Sequence, residues 1–279
     1  MTEFNPVTED LSDDNLNYPQ KIEPVIIKSE NQKLLGTFFR AAGKEKKTLA
    51  IILHGFPGNE NNFDIAHAVS RSGRNAVVFH YRGSWGSGGE FSFLNSLNDL
   101  YTVIEFFGNE KTAEQFGIEK NEIVLIGHSM GGMLALLASI KYEQIKKIAF
   151  LAGFNFGGFA EYLLAHPEFI EETTKGLVMG SEFLNGANPK TLFKEMLRYK
   201  NDWNLLKRAN ELKDKNIFLV AAEYDTVAPP ELHHNPLVAV FTELGISFKS
   251  IILTSGHSFT SKRIALTTEL IKWIEKNAN

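Results

Sequence analysis

The sequence predicts an α/β protein with a mainly parallel, eight-stranded sheet, helices on both faces and a small helical cap. Strand and helix patterns alternate along most of the 279 residues, and several strand candidates are apolar at nearly every position. The alternation stops between about residues 153 and 212, where the remaining patterns are helical. A sheet domain interrupted by one helical insertion accounts for these observations.

Eight segments have the composition of strands. The first two are separated by the turn-like S-E-N-Q-K and are expected to pair in antiparallel fashion at the start of the sheet. The third, T-L-A-I-I-L, is almost wholly apolar, which suits a strand covered on both faces. The predicted strands are 24–28, 34–40, 48–53, 75–81, 122–126, 147–152, 216–222 and 248–253.

Apolar residues at helical spacing, such as Leu97, Leu100 and Ile104, predict helices between the strands. The predicted helices are 62–71, 94–107, 130–142, 236–244 and 262–276. Residues 1–20 lack periodicity and are predicted to form a polar tail. The sheet domain is predicted to occupy residues 21–279, with the helical cap inserted at approximately 154–212.

Composition limits the classes of function. With 43% hydrophobic residues the chain can bury a large core, and its net charge of -4 argues against a nucleic-acid-binding protein. The absence of cysteine excludes disulfides, thiolate nucleophiles and thiolate metal sites. There is no apolar stretch of membrane-spanning length, and the acidic N-terminus is unlike a signal peptide, so a cytoplasmic location is expected. The oligomeric state is left open.

The motif G-H-S-M-G stands between the strand 122–126 and the helix 130–142. A serine on such a sharp strand-to-helix turn presents its hydroxyl outward, while small neighbours let the helix and the backbone approach closely. The alternative is that Ser129 merely caps the helix, as serines often do. The strand–turn–helix context favours Ser129 as a nucleophile.

A serine nucleophile needs a base, and the base needs a carboxylate that orients it. Asp225 follows the strand 216–222, and His257 follows the strand 248–253. The carboxyl ends of parallel strands meet at one edge of a sheet, so these residues are predicted to complete a catalytic triad with Ser129. Glu223 is the rival acid, but it is assigned to the strand end.

Two backbone N–H groups are predicted to form an oxyanion hole. The first is that of Met130, the residue after the nucleophile. The second lies in H-G-F-P-G, the loop after the strand 48–53, where Pro57 has no N–H and Phe56 is therefore chosen. The alternative for this loop is a glycine- and proline-rich turn without a function.

The remaining histidines and the glycine-rich loop carry weaker signals. His128 lies beside the serine in a geometry that is wrong for a base, and His233 and His234 are predicted to be surface residues, so no metal site and no cofactor are expected. The loop G-S-W-G-S-G-G is neither a dinucleotide fingerprint nor a P-loop. It is interpreted as a pliable loop beside the pocket, from which Arg82 and Trp85 could contact substrate.

These motifs together resemble those of the α/β-hydrolase superfamily. The resemblance runs from about residue 24 to the C-terminus and rests on H-G-F-P-G at 54–58, G-H-S-M-G at 127–131, Y-R-G-S-W-G-S-G-G at 81–89 and the Asp225 and His257 loops. It is greatest to the serine esterases and to the proline-iminopeptidase-like and prolyl-oligopeptidase-like peptidases. Two residues separate Gly83 from Gly86 where the family often has one, which affects only the loop beside the pocket.

The resemblance implies an α/β-hydrolase fold and a cap that roofs the active site, with some of the cap aromatics lining an apolar pocket. It implies a serine hydrolase that cleaves a carboxylic ester through an acyl-enzyme. A peptidase or amidase, a thioesterase and an acyltransferase with the same triad remain open, and so does an inactive binding module. A cofactor-independent oxidoreductase is a further alternative, and a dehalogenase is disfavoured because that group carries a carboxylate at the elbow.

Overall fold

One eight-stranded sheet organises the protein, for which the computed structural model describes residues 4–11 and 17–276. The strands are β1 (Lys21–Ser29), β2 (Gln32–Arg40), β3 (Lys47–Leu53), β4 (Asn75–Phe79), β5 (Ile118–His128), β6 (Lys147–Leu151), β7 (Asn216–Ala222) and β8 (Ser247–Leu253). Their spatial order is β1-β2-β4-β3-β5-β6-β7-β8. The pairs β1–β2 and β2–β4 are antiparallel and the other pairs are parallel. The predicted sheet and its antiparallel start are confirmed.

Helices connect the strands and cover both faces of the sheet. They are α1 (Phe63–Arg71), α2 (Phe93–Gly108), α3 (Glu110–Phe116), α4 (Met130–Lys141), α5 (Phe156–Ala165), α6 (Ile170–Ser181), α7 (Pro189–Arg198), α8 (Pro230–His233), α9 (Asn235–Leu244) and α10 (Arg263–Glu275). Short 3₁₀ turns occur at Pro167–Phe169 and Ala209–Leu212. None of the helices in the described ranges has the length and hydropathy needed to cross a bilayer.

The central strands feed two hydrophobic cores because successive side chains of a strand point to opposite faces. In β3, Leu49 and Ile51 join the core that lies against α2 and α4, whereas Ala50 and Ile52 join the core against α1 and α10. All four side chains are at most 1% exposed. This burial on both faces explains the apolar runs in the sequence, and it makes the central strands a rigid support for the loops at their carboxyl ends.

The part of the chain between α2 and the buried end of β5 differs from the prediction in two features. β5 begins at Ile118 rather than at residue 122, and α3 has no counterpart among the predicted helices. After the buried Ile118, residues 119–122 of β5 are exposed and polar, and α3 buries only Phe116, so neither segment carries an apolar pattern. The side chain of Asn109 caps α3 by accepting hydrogen bonds from the backbone N–H groups of residues 111 and 112.

The segment between β6 and β7 consists of α5, α6, α7 and connecting turns. It is joined to the glycine-rich loop on the other side of the site, because the Asn185 N–H donates to the Gly83 carbonyl at 2.7 Å and the Phe91 N–H donates to the Asn185 carbonyl at 2.9 Å. Glu195 of α7 also accepts a hydrogen bond from the Phe93 N–H at 3.0 Å. The inserted helices are thus tied to both ends of the 83–93 segment.

The first residues of the chain lie partly outside the described ranges, since residues 1–3 and 12–16 of the predicted tail are not among them. Where the tail is described, the Arg71 guanidinium on α1 donates to the Pro6 carbonyl at 2.6 Å. Val7 packs against the core on the same face of the sheet.

Candidate active site

Ser129 lies at the junction of β5 and α4 with φ 55° and ψ -122°. A positive φ is strained for a residue with a Cβ and persists only where the surroundings enforce it. Here the Ser129 N–H donates to the Leu151 carbonyl, and the Ser129 carbonyl accepts from Gly132 and Phe154, each at 3.0 Å. Ser129 is the N-cap residue of α4, as expected of a serine that starts a helix, but its side chain makes no capping hydrogen bond and stays available for another role.

The glycines of G-H-S-M-G are required by close backbone contacts. A Cβ on Gly127 would stand 2.1 Å from the Gly131 carbonyl oxygen, and a Cβ on Gly131 would stand 2.4 Å from the Leu53 carbonyl oxygen. Both distances are far below van der Waals contact, and both atoms belong to the backbone, which cannot swing away. The strand and the helix can therefore meet at this angle only with glycine at both positions.

Asp225 and His257 are brought together by the loops that follow β7 and β8. The Nδ1–H of His257 donates to Asp225 Oδ2 at 2.7 Å, and the other carboxylate oxygen accepts from the N–H groups of Val227 and Ala228 at 2.8 Å each. Burial alone would raise the pKa of the Asp225 carboxyl, but the His257 contact and these two N–H groups outweigh it and lower that pKa. Glu223, the rival acid, is exposed.

This pairing leaves the far nitrogen of His257, Nε2, as the one available for a proton from a nucleophile. The His257 ring lies against His128, the neighbour of Ser129, with ring centroids 4.8 Å apart. Within the described residues the Ser129 hydroxyl makes no hydrogen bond, to His257 or to any other group. Such contacts are often long in ligand-free enzymes and tighten when substrate binds.

Phe56 and Met130 line the same cavity as Ser129. Among the described residues, neither backbone N–H has a hydrogen-bond acceptor, so both remain available to a ligand. The Phe56 ring is fixed by Phe91 and Phe93, at centroid distances of 5.6 and 5.5 Å. The Gly180 backbone of α6 presses on the same ring, since a Cβ there would stand 2.2 Å from Phe56 Cε1.

The cavity above Ser129 has a volume of about 600 Å³ and extends beneath α5 and α6. Among the described residues that line it, Glu172 is the one with a carboxyl group, and none is a lysine, arginine or histidine. At its mouth Met179 and Phe183 are exposed by 67% and 57%. The aromatic members of the lining are Phe56, Phe154, Phe156, Phe159, Tyr162, Phe169 and Phe183.

Arg82 and Trp85, the residues of the glycine-rich loop that could contact substrate, are not among the described residues that line this cavity. The Arg82 Nε–H donates to Asp99 at 2.7 Å, and its Nη1–H donates to Glu30 at 2.8 Å. Asp99 is fully buried, so the Arg82 guanidinium offsets a charge that would be costly to bury without a partner. Trp85 donates its Nε1–H to the Pro57 carbonyl instead.

His233 and His234 are buried, at 1% and 4% exposure, so their assignment to the surface is wrong. His233 accepts a hydrogen bond from the Asn155 N–H at 3.1 Å and packs on Phe154, while His234 contacts the Ser250 hydroxyl at 2.9 Å. Burial lowers their pKa to about 3 and about 4, respectively. Within residues 4–11 and 17–276, no three potential metal ligands among His, Asp and Glu side chains converge.

Sequence reasoning treats His128 only as an unsuitable base and misses its contact with the His257 loop. The Nε2 atom of His128 lies 3.0 Å from the main-chain oxygen of His257. No sequence pattern announces this contact, because it joins two residues 129 positions apart. The one available signal is the place of His128 directly before the serine.

Comparison with protein-family models matches residues 50–175 to the alpha/beta hydrolase fold. Epoxide hydrolase 4 of Homo sapiens is 29% identical over 133 residues, which cover 46% of this chain and 34% of that protein. A proline iminopeptidase of Clostridioides difficile (strain 630) is 30% identical over 112 residues, which cover 38% of this chain and 36% of that protein. The matched segment thus spans about a third of the length of these curated relatives.

Among solved structures, an esterase of Pyrococcus furiosus superposes with a TM-score of 0.65 and covers 96% of both chains at 18% sequence identity. At that identity the likeness concerns the fold alone. The superposition nevertheless includes the inserted helices as well as the sheet, because almost the whole chain is aligned.

Proposed function

This chain has the α/β-hydrolase fold, and on that premise we propose that it is a serine hydrolase that cleaves a carboxylic ester through an acyl-enzyme. Ser129 is the nucleophile, His257 is the general base and acid, and Asp225 orients His257. The N–H groups of Phe56 and Met130 bind the oxyanion. The observation that carries the proposal is the 2.7 Å hydrogen bond between His257 and Asp225, after β7 and β8, at the same edge of the sheet as the strained serine after β5.

The first half of the reaction forms the acyl-enzyme. The Ser129 oxygen attacks the ester carbonyl carbon while Nε2 of His257 takes the hydroxyl proton, and the carbonyl oxygen becomes an oxyanion. When the tetrahedral intermediate collapses, the bond to the alcohol oxygen breaks and His257 returns the proton to that oxygen. Asp225 remains a carboxylate throughout, in line with its lowered pKa, and stabilises the imidazolium.

The second half releases the acid. A water molecule attacks the acyl carbon, His257 takes its proton, and the second tetrahedral intermediate collapses with the proton returned to Ser129. The same two N–H groups stabilise both intermediates, because both carry the negative charge on the same oxygen.

The cavity favours a neutral substrate with an apolar acyl or aromatic group. Its volume of about 600 Å³ is in the range of small-molecule sites, and the described residues of its lining offer no cation to a substrate carboxylate or phosphate. The segment at approximately 154–212 serves as the helical cap over this cavity, and residues 21–279 form one domain. The substrate is a small molecule met in the cytoplasm, as the sequence predicts.

Hydrolysis of an amide or short peptide is the second candidate. The carboxyl group of Glu172 in the lining can bind a protonated substrate amine, and a proline iminopeptidase is among the similar proteins. Asp225 and His257 are hydrogen-bonded to each other, and the Ser129 side chain makes no hydrogen bond that caps its helix. Both observations support an enzyme over an inactive binding module.

A fluorophosphonate probe tests the proposal, since it labels a serine that is activated by a base. The wild type should be labelled and Ser129→Ala should not. Ser139→Ala is the matched control, because Ser139 lies in the same helix with a buried hydroxyl that donates to the Leu136 carbonyl. This variant should be labelled like the wild type.

Turnover then separates the two candidates. An esterase should hydrolyse p-nitrophenyl acetate, butyrate and octanoate faster than aminoacyl-naphthylamides, and a peptidase should show the reverse order. An unlabelled wild type that cleaves neither set of substrates would overturn the enzyme assignment.

A further inference from the structure

We propose that His128 is a positioning residue that holds the loop of the base His257 in register with the nucleophile, an inference that rests on the serine-hydrolase function proposed above. Its Nε2–H donates to the main-chain oxygen of His257 at 3.0 Å. A carbonyl oxygen can only accept a hydrogen bond, so the contact places the imidazole proton of His128 on Nε2.

The surroundings of His128 keep it in this neutral form. The side chain is 4% exposed, and Nδ1 is buried without a hydrogen-bond partner among the described residues. Burial, supported by the nearby His257, lowers the pKa of His128 to about 3. The ring is therefore a fixed donor at ordinary pH, and it does not compete with His257 as a base.

His257 is held at two separate points. Asp225 binds its side chain through Nδ1, and this contact leaves the other ring nitrogen to face the substrate. His128 binds the backbone of His257 by donating a hydrogen bond to its main-chain carbonyl oxygen. Because His128 and Ser129 are consecutive residues of one rigid turn, the second contact links the backbone of the base directly to the backbone of the nucleophile.

The other contacts of this loop do not provide that link. The Tyr224 N–H donates to the Ser255 carbonyl at 3.0 Å, which ties the loop to β7. Arg263 donates to the Ser258 carbonyl at 3.2 Å and also pairs with Asp64, which ties the loop to α1. Without His128 the loop keeps these attachments and remains folded, but the distance from His257 to Ser129 is no longer fixed.

Two substitutions separate the effect of the His128 hydrogen-bond donor from the effect of its side-chain volume. His128→Leu fills the space without a donor, and it should lower kcat for p-nitrophenyl butyrate by about tenfold to a hundredfold with little change in KM, as misplacement of a catalytic group does. His128→Gln offers a carboxamide N–H, and it should recover most of the lost kcat. A purely structural role predicts no such difference between the two variants.

His234 provides the matched control. It is equally buried, at 4% exposure, and its Nε2 atom contacts the Ser250 hydroxyl rather than the His257 loop. His234→Leu and His234→Gln should lose stability like the His128 variants while kcat stays within about twofold of the wild type. The proposal is overturned if His128→Leu keeps its kcat, or if both leucine variants lose kcat alike.

Amide hydrogen exchange tests the positioning without any turnover. In His128→Leu the amides of residues 254–259 should exchange faster than in the wild type, and in His234→Leu they should not. An unlabelled wild type would refute the serine-hydrolase function alone. Unchanged exchange in His128→Leu would refute the role of His128, whether or not the protein is an esterase.

Discussion

The indole Nε1–H of Trp85 donates to the main-chain oxygen of Pro57 at 3.0 Å. This contact joins the glycine-rich loop to H-G-F-P-G, one residue after the proposed oxyanion donor Phe56. Although Trp85 does not line the cavity, it holds the loop that does. The glycine-rich loop therefore acts on the proposed site through the backbone rather than through contact with substrate.

Trp85→Phe should lower kcat by about tenfold with little change in KM, because the oxyanion donor is less well fixed while the aromatic bulk is kept. Steady-state kinetics with p-nitrophenyl butyrate provide the measurement. Trp273→Phe is the control, since it removes an equivalent hydrogen bond of 2.9 Å to Asn216 on the far face of the sheet. Equal kcat values for the two variants would show that Trp85 has no role at the site.

Asp225→Asn should lower kcat by about 10⁴-fold, since a carboxamide cannot hold His257 in the tautomer that leaves Nε2 free as a base. Glu223→Gln should leave kcat almost unchanged because that side chain is exposed. Both variants are compared by single-substrate kinetics and by fluorophosphonate labelling. A larger loss in Glu223→Gln would transfer the role of the acid to Glu223.

Acid should destabilise the fold through its buried histidines. Burial lowers the pKa of His54, His128 and His233 to about 3 and that of His234 to about 4. The unfolded chain binds these protons below about pH 6.5, whereas the folded chain stays neutral, so each histidine reduces the free energy of unfolding by up to ~1.4 kcal/mol per pH unit. The loss begins below about pH 6.5 and ends near the folded pKa values.

Urea unfolding at several pH values tests this expectation. The midpoint should be constant in mildly alkaline solution and should fall steeply between about pH 6 and 4. His234→Gln removes one of the titrating groups, so its slope should be shallower by about one proton. A wild-type midpoint that does not move over this acid range would contradict the assignment of neutral, buried imidazoles.

Two glycines of α6 should respond differently to alanine. Gly180→Ala places a methyl group against the Phe56 ring, so it should destabilise the fold by about 1–3 kcal/mol and reduce kcat through displacement of the proposed oxyanion loop. Gly176→Ala meets nothing within 4 Å and should stabilise the helix by up to about 1 kcal/mol with kcat unchanged. Thermal melts and ester kinetics measure both effects, and equal kcat values would remove the link between α6 and Phe56.

The parts of the protein that could be predicted from its sequence are those whose residues form a local pattern. The buried strands carry apolar runs, and the G-H-S-M-G turn carries glycines because a Cβ at Gly127 would come within 2.1 Å of the Gly131 carbonyl oxygen. The position of Asp225 follows from its place after a strand, although its contact with His257 is visible only in three dimensions.

Other features lack a local pattern. α3 and the start of β5 are polar on most of their surface, so they have no periodicity that predicts them. The buried state of His233 and His234 depends on partners far along the chain, Asn155 and Ser250 respectively for their ring nitrogens. Histidine is common on surfaces and in cores alike, and residue type alone does not decide between the two.

The backbone of Ser129 has φ 55° and ψ -122°, so the residue that carries the proposed nucleophilic hydroxyl also lowers the thermal stability of the fold. Glycine adopts such angles without a Cβ clash, so Ser129→Gly should relieve about 1–3 kcal/mol of strain, less the entropy that glycine adds to the unfolded chain. That variant has no hydroxyl and no turnover, yet it should melt at a higher temperature than Ser129→Ala. Stability alone would therefore favour glycine at this position, and serine is the costlier residue that the proposed chemistry requires.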